Sequence, residues 1–183
     1  MQKLLCLWNY FSTKYQKIWK YFTSTEVQIY LIQISDIKMT NADLTEPEIP
    51  ETGAVFTFGK SKFAENTPSK FWIRRDRIIA LSCGDEHTAV VTDSGRLFTF
   101  GTNEYGQLGL GHYDNVLRPS CVKCIKPDRV HAVACGKSHT IIATESGRLF
   151  AFGSNTEGQL GIGLKDEDSC EQPLEIIIQQ KGS

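Results

Sequence analysis

The chain has 183 residues, 40% hydrophobic and 22% charged, with a formal net charge of −1, which suits one modest domain with an apolar core. That balance argues against a strongly basic nucleic-acid binder and gives no overall pull toward anionic membrane; no run approaches the roughly 18–20 apolar residues of a membrane-spanning helix. Six cysteines (Cys6, Cys83, Cys121, Cys124, Cys135 and Cys170) occur with no signal peptide and no Asn-x-Ser/Thr acceptor, so free thiols in a reducing compartment are expected.

Residues 1–38 form a leader. Leu4, Trp8, Phe11, Tyr15, Ile18 and Phe22 recur at steps of four and three, with Lys3, Lys14, Lys17 and Lys20 around them. The spacing predicts an amphipathic helix. Membrane contact follows only if residues 1–22 form a surface helix; the simpler expectation is a leader with no partner to pack on. Residues 39–52 are acidic and proline-containing and read as a flexible lead-in, with Met39 as a plausible original start.

Beyond this point the chain repeats itself. Cys83-Gly-Asp-Glu-His-Thr-Ala-Val-Val-Thr92 returns as Cys135-Gly-Lys-Ser-His-Thr-Ile-Ile-Ala-Thr144, an offset of 52. The same offset carries Gly95–Gly101 onto Gly147–Gly153 and Asn103–Gly111 onto Asn155–Gly163. The recurring positions are Cys83, Gly84, His87, Gly95, Gly101, Gly106, Gln107, Gly109 and Gly111 in one copy. In the other they are Cys135, Gly136, His139, Gly147, Gly153, Gly158, Gln159, Gly161 and Gly163. Residues 53–82 hold a remnant: Gly53-Ala-Val-Phe-Thr-Phe-Gly59 matches Gly95–Gly101 at an offset of 42 but lacks the strand before it. Residues 83–134 are a full repeat, and residues 135–183 a second that fades after Gly163.

Strands are predicted at Ile78–Cys83, Thr88–Thr92, Arg96–Phe100 and Pro119–Ile125, and again at Val130–Cys135, Thr140–Thr144 and Arg148–Phe152. Asp93-Ser94-Gly95 is a tight hairpin turn, and Pro119 suits an outer edge. About four short antiparallel strands per 52 residues make a propeller blade. The expected fold is all-β: an incomplete β-propeller of about two full blades, behind an N-terminal segment predicted as helical.

The signature Cys-Gly-x-x-His-Thr, Gly-Arg-Leu-Phe-x-Phe-Gly and Asn-x-x-Gly-Gln-Leu-Gly-x-Gly resembles the regulator-of-chromosome-condensation repeat family over about Gly53–Gly163. The resemblance implies a seven-bladed ring, which this chain is too short to supply. It also implies that the gap before Gly53 is filled by strands from a chain's far end. Without them, Ala54–Phe58 is expected to be an open edge or to pair irregularly.

Several constellations could carry chemistry. Gly106-Gln-Leu-Gly-Leu-Gly111 reverses the order of a dinucleotide fingerprint and recurs at Gly158–Gly163, so it reads as a tight loop. His87 and His139 share one repeat position and read as buried, locally satisfied groups. Cys121-Val-Lys-Cys124 lacks the second ligand pair of a zinc site. Lys70, Arg74, Arg75 and Arg77, beside Phe71 and Trp72, form a basic cluster that suits a partner surface or a solvated face. No catalytic set, cofactor site or metal site is expected.

The family resemblance implies a protein-binding scaffold and small-GTPase regulator of the guanine-nucleotide-exchange type; with no catalytic set in view, an enzyme of covalent chemistry is not expected. The resemblance implies Rab-type GTPases and ciliary adaptor proteins as partners, with no nucleic acid. It places the chain in the cytoplasm, at the cilium, centrosome or basal body. The rival readings are a truncated repeat fragment without function and a chromatin-binding propeller.

Overall fold

In the computed structural model, the described residues are the strand backbones at 18–22, 27–32, 54–61, 64–65 and 69–71, then residues 71–126, 128–163 and 168–177. Every regular element among them is a strand. The chain divides into two compact units, residues 1–78 and 79–183.

The first unit holds a five-stranded antiparallel sheet. Its strands are β1 (Ile18–Phe22), β2 (Val27–Ile32), β3 (Ala54–Ser61), β4 (Ala64–Glu65) and β5 (Ser69–Phe71). They run β1-β2-β3-β4, with β5 also paired to β3. Two expectations are corrected here. Ile18–Phe22 is a strand, not the end of a helix, and the remainder of the expected helix lies outside the described residues. The condition for membrane contact is therefore not met where residues 1–22 are described. Ala54–Phe58 is not an open edge either, because it pairs with β2 on one side and, over Val55–Thr57, with β5 on the other. Val-Gln-Ile-Tyr-Leu-Ile in β2 is rich in β-branched and aromatic residues, which favour a pleated surface. Pairing there satisfies main-chain groups that would otherwise lack partners. The lead-in at 39–52 lies outside the described residues.

The second and third sheets copy one another. The second orders β6 (Ile78–Cys83), β7 (His87–Thr92), β8 (Leu97–Gly101) and β9 (Val116–Cys121); the third orders β10 (Val130–Cys135), β11 (His139–Thr144), β12 (Leu149–Ser154) and β13 (Ser169–Glu175). Register repeats at the 52-residue offset: Ala89 faces Thr99 and Val90 faces Phe98, as Ile141 faces Ala151 and Ile142 faces Phe150. The hairpin turn repeats too. The Gly95 and Gly147 amides donate to the Thr92 and Thr144 carbonyls at 2.8 and 2.9 Å. Gly95 sits at φ 76°, where a side chain would be strained. The outer strand β9 starts earlier than expected and ends at Cys121, so Cys121 and Cys124 do not share a strand. Pro119 lies on that edge strand, where no ladder bond is lost.

The main core lies between these two sheets. Ala89, Val91 and Leu97 of the second sheet meet Val130, Ile142, Phe150 and Phe152 of the third, closed below by Val122 and Ile125. Each fully buried side chain of this size contributes roughly 1.5–3 kcal/mol. All six residues of β7 are buried, whereas in β11 buried residues alternate with half-buried ones. Thr140, Ile142 and Thr144 are the covered set; His139, Ile141 and Ala143 lie on the other face.

Candidate functional site

The seam between the second and third sheets is where the repeat's polar residues converge. His87 opens β7 behind a tight turn in which the Gly84 amide donates to the His87 carbonyl at 2.8 Å. Gly84 has no side chain, and the imidazole lies against it where a Cβ would stand. His87 Nε2 is 2.9 Å from Thr140 Oγ1 on the third sheet. The Thr140 hydroxyl donates its proton to the Gln107 carbonyl at 2.9 Å. With that single proton committed, the imidazole must donate from Nε2. Nδ1 is left as a buried acceptor without a partner. Burial, and secondarily the charge of a protonated His139, pushes the His87 pKa down to about 4. His87 is therefore a neutral link between sheets and does not titrate near neutrality.

The Asn103–Gly111 loop is held from within. The Tyr105 amide donates to Gln107 Oε1 at 2.9 Å, the Leu108 amide to Asn103 Oδ1 at 2.9 Å, and Asn103 Nδ2 to the His112 carbonyl at 2.6 Å. The next copy repeats the pattern, with Glu157 to Gln159 Oε1 at 2.8 Å and Leu160 to Asn155 Oδ1 at 3.3 Å. Gly109 stands at φ 66° with its α-carbon pressed on the Phe152 ring, where a Cβ would come to 2.8 Å. The glycine-rich motif thus turns the loop and brings it against the next sheet.

Cys83 and Cys135 also occupy the seam. Burial pushes the Cys83 thiol up to about 12 and the Cys135 thiol up to about 11, which removes thiolate character. The Cys135 amide donates to Ser82 Oγ at 2.9 Å, a further tie between the sheets. Cys124, past the end of β9, is exposed, and its thiol points to the Gly109 carbonyl at 3.6 Å. Among the described residues, no group of three or more His, Cys, Asp or Glu could hold a metal ion.

The basic cluster belongs to the first unit. Arg74, Arg75 and Arg77 are exposed in the segment joining β5 to β6, next to the exposed Trp72, and Lys70 falls within β5. Arg75 takes φ 72°, the one non-glycine residue with positive φ among the described residues.

Three arrangements were not anticipated from the sequence. Arg148 makes a two-pronged ion pair with Glu175, at 3.0 and 2.7 Å, and reaches Asp128 at 2.7 Å. Arg129 grips Glu145 of the third sheet and the Asp93 and Ser94 carbonyls of the second at 2.8–3.1 Å. The Tyr113 hydroxyl donates to Glu171 Oε2 at 2.6 Å. Arg96 and Arg148, like Thr88 and Thr140, recur at the repeat offset, and that recurrence was the signal available for them.

A model described as the regulator of chromosome condensation (RCC1) repeat matches residues 94–143 and 146–181; a second model of the same description matches residues 78–107 and 130–159. The chain belongs to the RCC1 repeat family. Among RCC1-repeat proteins it is similar to the X-linked retinitis pigmentosa GTPase regulator of Homo sapiens, 55% identical over 126 residues, which cover 68% of this chain and 12% of the relative. The Mus musculus protein of the same name is 54% identical over 123 residues, covering 67% and 12%. The chain thus spans about an eighth of the length of these relatives. Its fold matches the crystal structure of Prp20p from Saccharomyces cerevisiae, a study that reports binding to Gsp1p and histones. That match has a TM-score of 0.67 at 14% identity and covers 87% of this chain and 38% of Prp20p. The second and third sheets are RCC1-type propeller blades.

Proposed function

We propose that this chain is a blade-bearing portion of a small-GTPase-regulating propeller, a protein-binding module that acts through assembled surface and not through a reactive group. The observation that carries the reading is the identity of more than half with a GTPase regulator, spread over about two thirds of this chain. The chemistry of the seam supports it. His87, Cys135 and Gly109 are committed to joining the second and third sheets, which leaves loops and exposed turns for recognition.

Rab-type GTPases and ciliary adaptor proteins are the partners this reading assigns, at the cilium, centrosome or basal body. The Arg74–Arg77 turn with Lys70 is the surface it nominates, offering cations to an acidic patch. Exchange of nucleotide would follow from tighter binding to the nucleotide-free GTPase than to either loaded form. Prp20p is described with both a GTPase and histones as partners. For the present chain a net charge of −1 favours the GTPase, because histones and DNA call for strongly charged surfaces.

The test is binding of the full chain to a panel of Rab-type GTPases in nucleotide-free, GDP and GTP forms, with release of a fluorescent GDP analogue as the second readout. Preference for the nucleotide-free form is expected. Equal binding to all three forms, or none, would refute the exchange reading. The half-buried face of the third sheet, carrying His139, Ile141 and Ala143, favours a second reading, a repeat fragment without partner binding. A non-cooperative melt together with aggregation on size exclusion would support that one.

A further inference from the structure

Ile18–Phe22 and Val27–Ile32 share no motif with the repeat, yet their backbones stand where a repeat sheet has its first two strands. In the first unit Val27 faces Gly59, Ile29 faces Thr57 and Leu31 faces Val55. In the second sheet His87 faces Gly101, Ala89 faces Thr99 and Val91 faces Leu97. Because Gly53–Gly59 aligns with Gly95–Gly101 at an offset of 42, Val27, Ile29 and Leu31 face the counterparts of the residues that His87, Ala89 and Val91 face. The order β1-β2-β3, with β5 on the far side of β3, parallels β6-β7-β8-β9.

The flanking strands agree. Phe56 faces Lys70 and Thr57 faces Ser69, just as Phe98 faces Cys121 and Thr99 faces Ser120. On the other side β1 pairs antiparallel with β2 from Ile18–Ile32 to Phe22–Gln28, as β10 does with β11 from Val130–Thr144 to Cys135–Thr140, where a bulge follows Val130. An independent observation points the same way. The overlap with Prp20p takes in 87% of the chain, whereas residues 53–183 make up less than three quarters of it. The propeller-like region therefore extends into the first 52 residues.

We infer that the leader strands Ile18–Phe22 and Val27–Ile32 are strand donors acting in cis: they fill the two strand positions that the repeat remnant at 53–82 lacks and complete the first sheet from the chain's own N-terminal side. What it reproduces is the main-chain register and not the polar link between sheets. The register position of His87 is taken by Val27, that of Thr88 by Gln28 and that of Thr92 by Ile32. Strand addition tolerates such exchange because main-chain hydrogen bonds supply the attachment and alternate side chains only refine it. The leader therefore has a structural role that neither the repeat signature nor the GTPase reading assigns to it.

The full chain carrying Tyr30→Cys with Phe56→Cys tests this. Directly opposed residues of an antiparallel pair have α-carbons about 4.5–5.5 Å apart, within disulfide reach. Tyr30→Cys with Phe58→Cys is the control, displaced along the strand. Peptide mapping by mass spectrometry separates these bridges from those of the native cysteines. An intrachain 30–56 bridge is expected to form at least tenfold faster than 30–58. Equal rates, or a bridge found between two chains, would overturn the inference. Hydrogen exchange supplies a second measurement on the full chain with Ile29→Pro, which removes a main-chain donor from β2. Protection at Ala54–Phe58 should drop at least tenfold while Leu97–Gly101 is unchanged; undiminished protection at 54–58 would count against the donor. Failure of the GTPase assays leaves both outcomes unaffected.

Discussion

Neutral His87 makes the seam sensitive to acid, and the size of the effect follows from its burial. An unfolded chain titrates this histidine at 6.5, and the folded protein holds it at about 4. Above pH 6.5 neither state is protonated and the full stability is present. Between 6.5 and about 4 the unfolded chain binds a proton that the folded chain refuses, so stability falls with pH. Below 4 both states carry the proton and the loss stops growing. At about 1.4 kcal/mol per pH unit, the loss attributable to this side chain reaches about 3 kcal/mol.

Urea unfolding of the wild type and His87→Gln across pH 4–7.5 isolates this term, because the carboxylates titrate in both proteins and cancel in the difference. Near pH 7 the variant is expected to be weaker by about 1–2 kcal/mol for loss of the bond to Thr140. That gap should close and then reverse as the pH approaches 4.5. Parallel profiles for the two proteins would refute the claim that His87 is buried, neutral and linked through Nε2.

Gly109→Ala and Gly161→Ala compare equivalent glycines under unequal constraint. Both have φ near 65°, but a Cβ at 109 meets the Phe152 ring whereas one at 161 meets nothing within 4 Å. Thermal unfolding should show a cost of about 1 kcal/mol at 161 from backbone strain alone, and at least twice that at 109. Phe152→Ala removes a side chain with no exposure and should cost about 3–5 kcal/mol by denaturant titration. Arg74→Glu with Arg75→Glu, at exposed positions, should leave stability within about 0.5 kcal/mol while weakening GTPase binding at least tenfold by biolayer interferometry. Unchanged binding would remove that turn from the partner surface.

The repeat was legible because its register is written twice. Gly95 and Gly147 mark the hairpin turns, and the alternation in Leu97–Gly101 and Leu149–Ser154 marks the strands that follow. The glycine-rich loop and the paired histidines read as structural for the same reason, since a recurring group belongs to the fold unit; the expectation that both histidines are buried and locally satisfied is corrected, because His87 bonds across the seam to Thr140 with Nδ1 unpartnered and His139 is half-buried. Ile18–Phe22 was misread because apolar residues at steps of three and four also crowd a short strand. Ile-Trp-Lys-Tyr-Phe has too few residues for period to separate the two structures, and the deciding fact, an unpaired β3 beside it, is tertiary. The ion pairs of Arg129 and Arg148 were missed because their partners come from loops and outer strands whose placement spacing does not reveal. The site itself was only partly legible: recurrence marked positions that belong to the fold unit, but not that His87 reaches the neighbouring sheet or that a single hydroxyl, Thr140 Oγ1, receives its imidazole and fixes its tautomer.

Each of the two repeat sheets is drawn from one unbroken stretch of chain, 78–121 and then 130–175. A nascent chain leaving the ribosome can therefore close the second sheet before β10 is made. The third sheet then arrives strand by strand on a surface already displaying Ala89, Val91 and Leu97. Such an order favours growth by accretion, with each finished layer templating the next. It leaves the newest layer, with its half-buried His139 and Ile141, as the place where handling by chaperones would matter most.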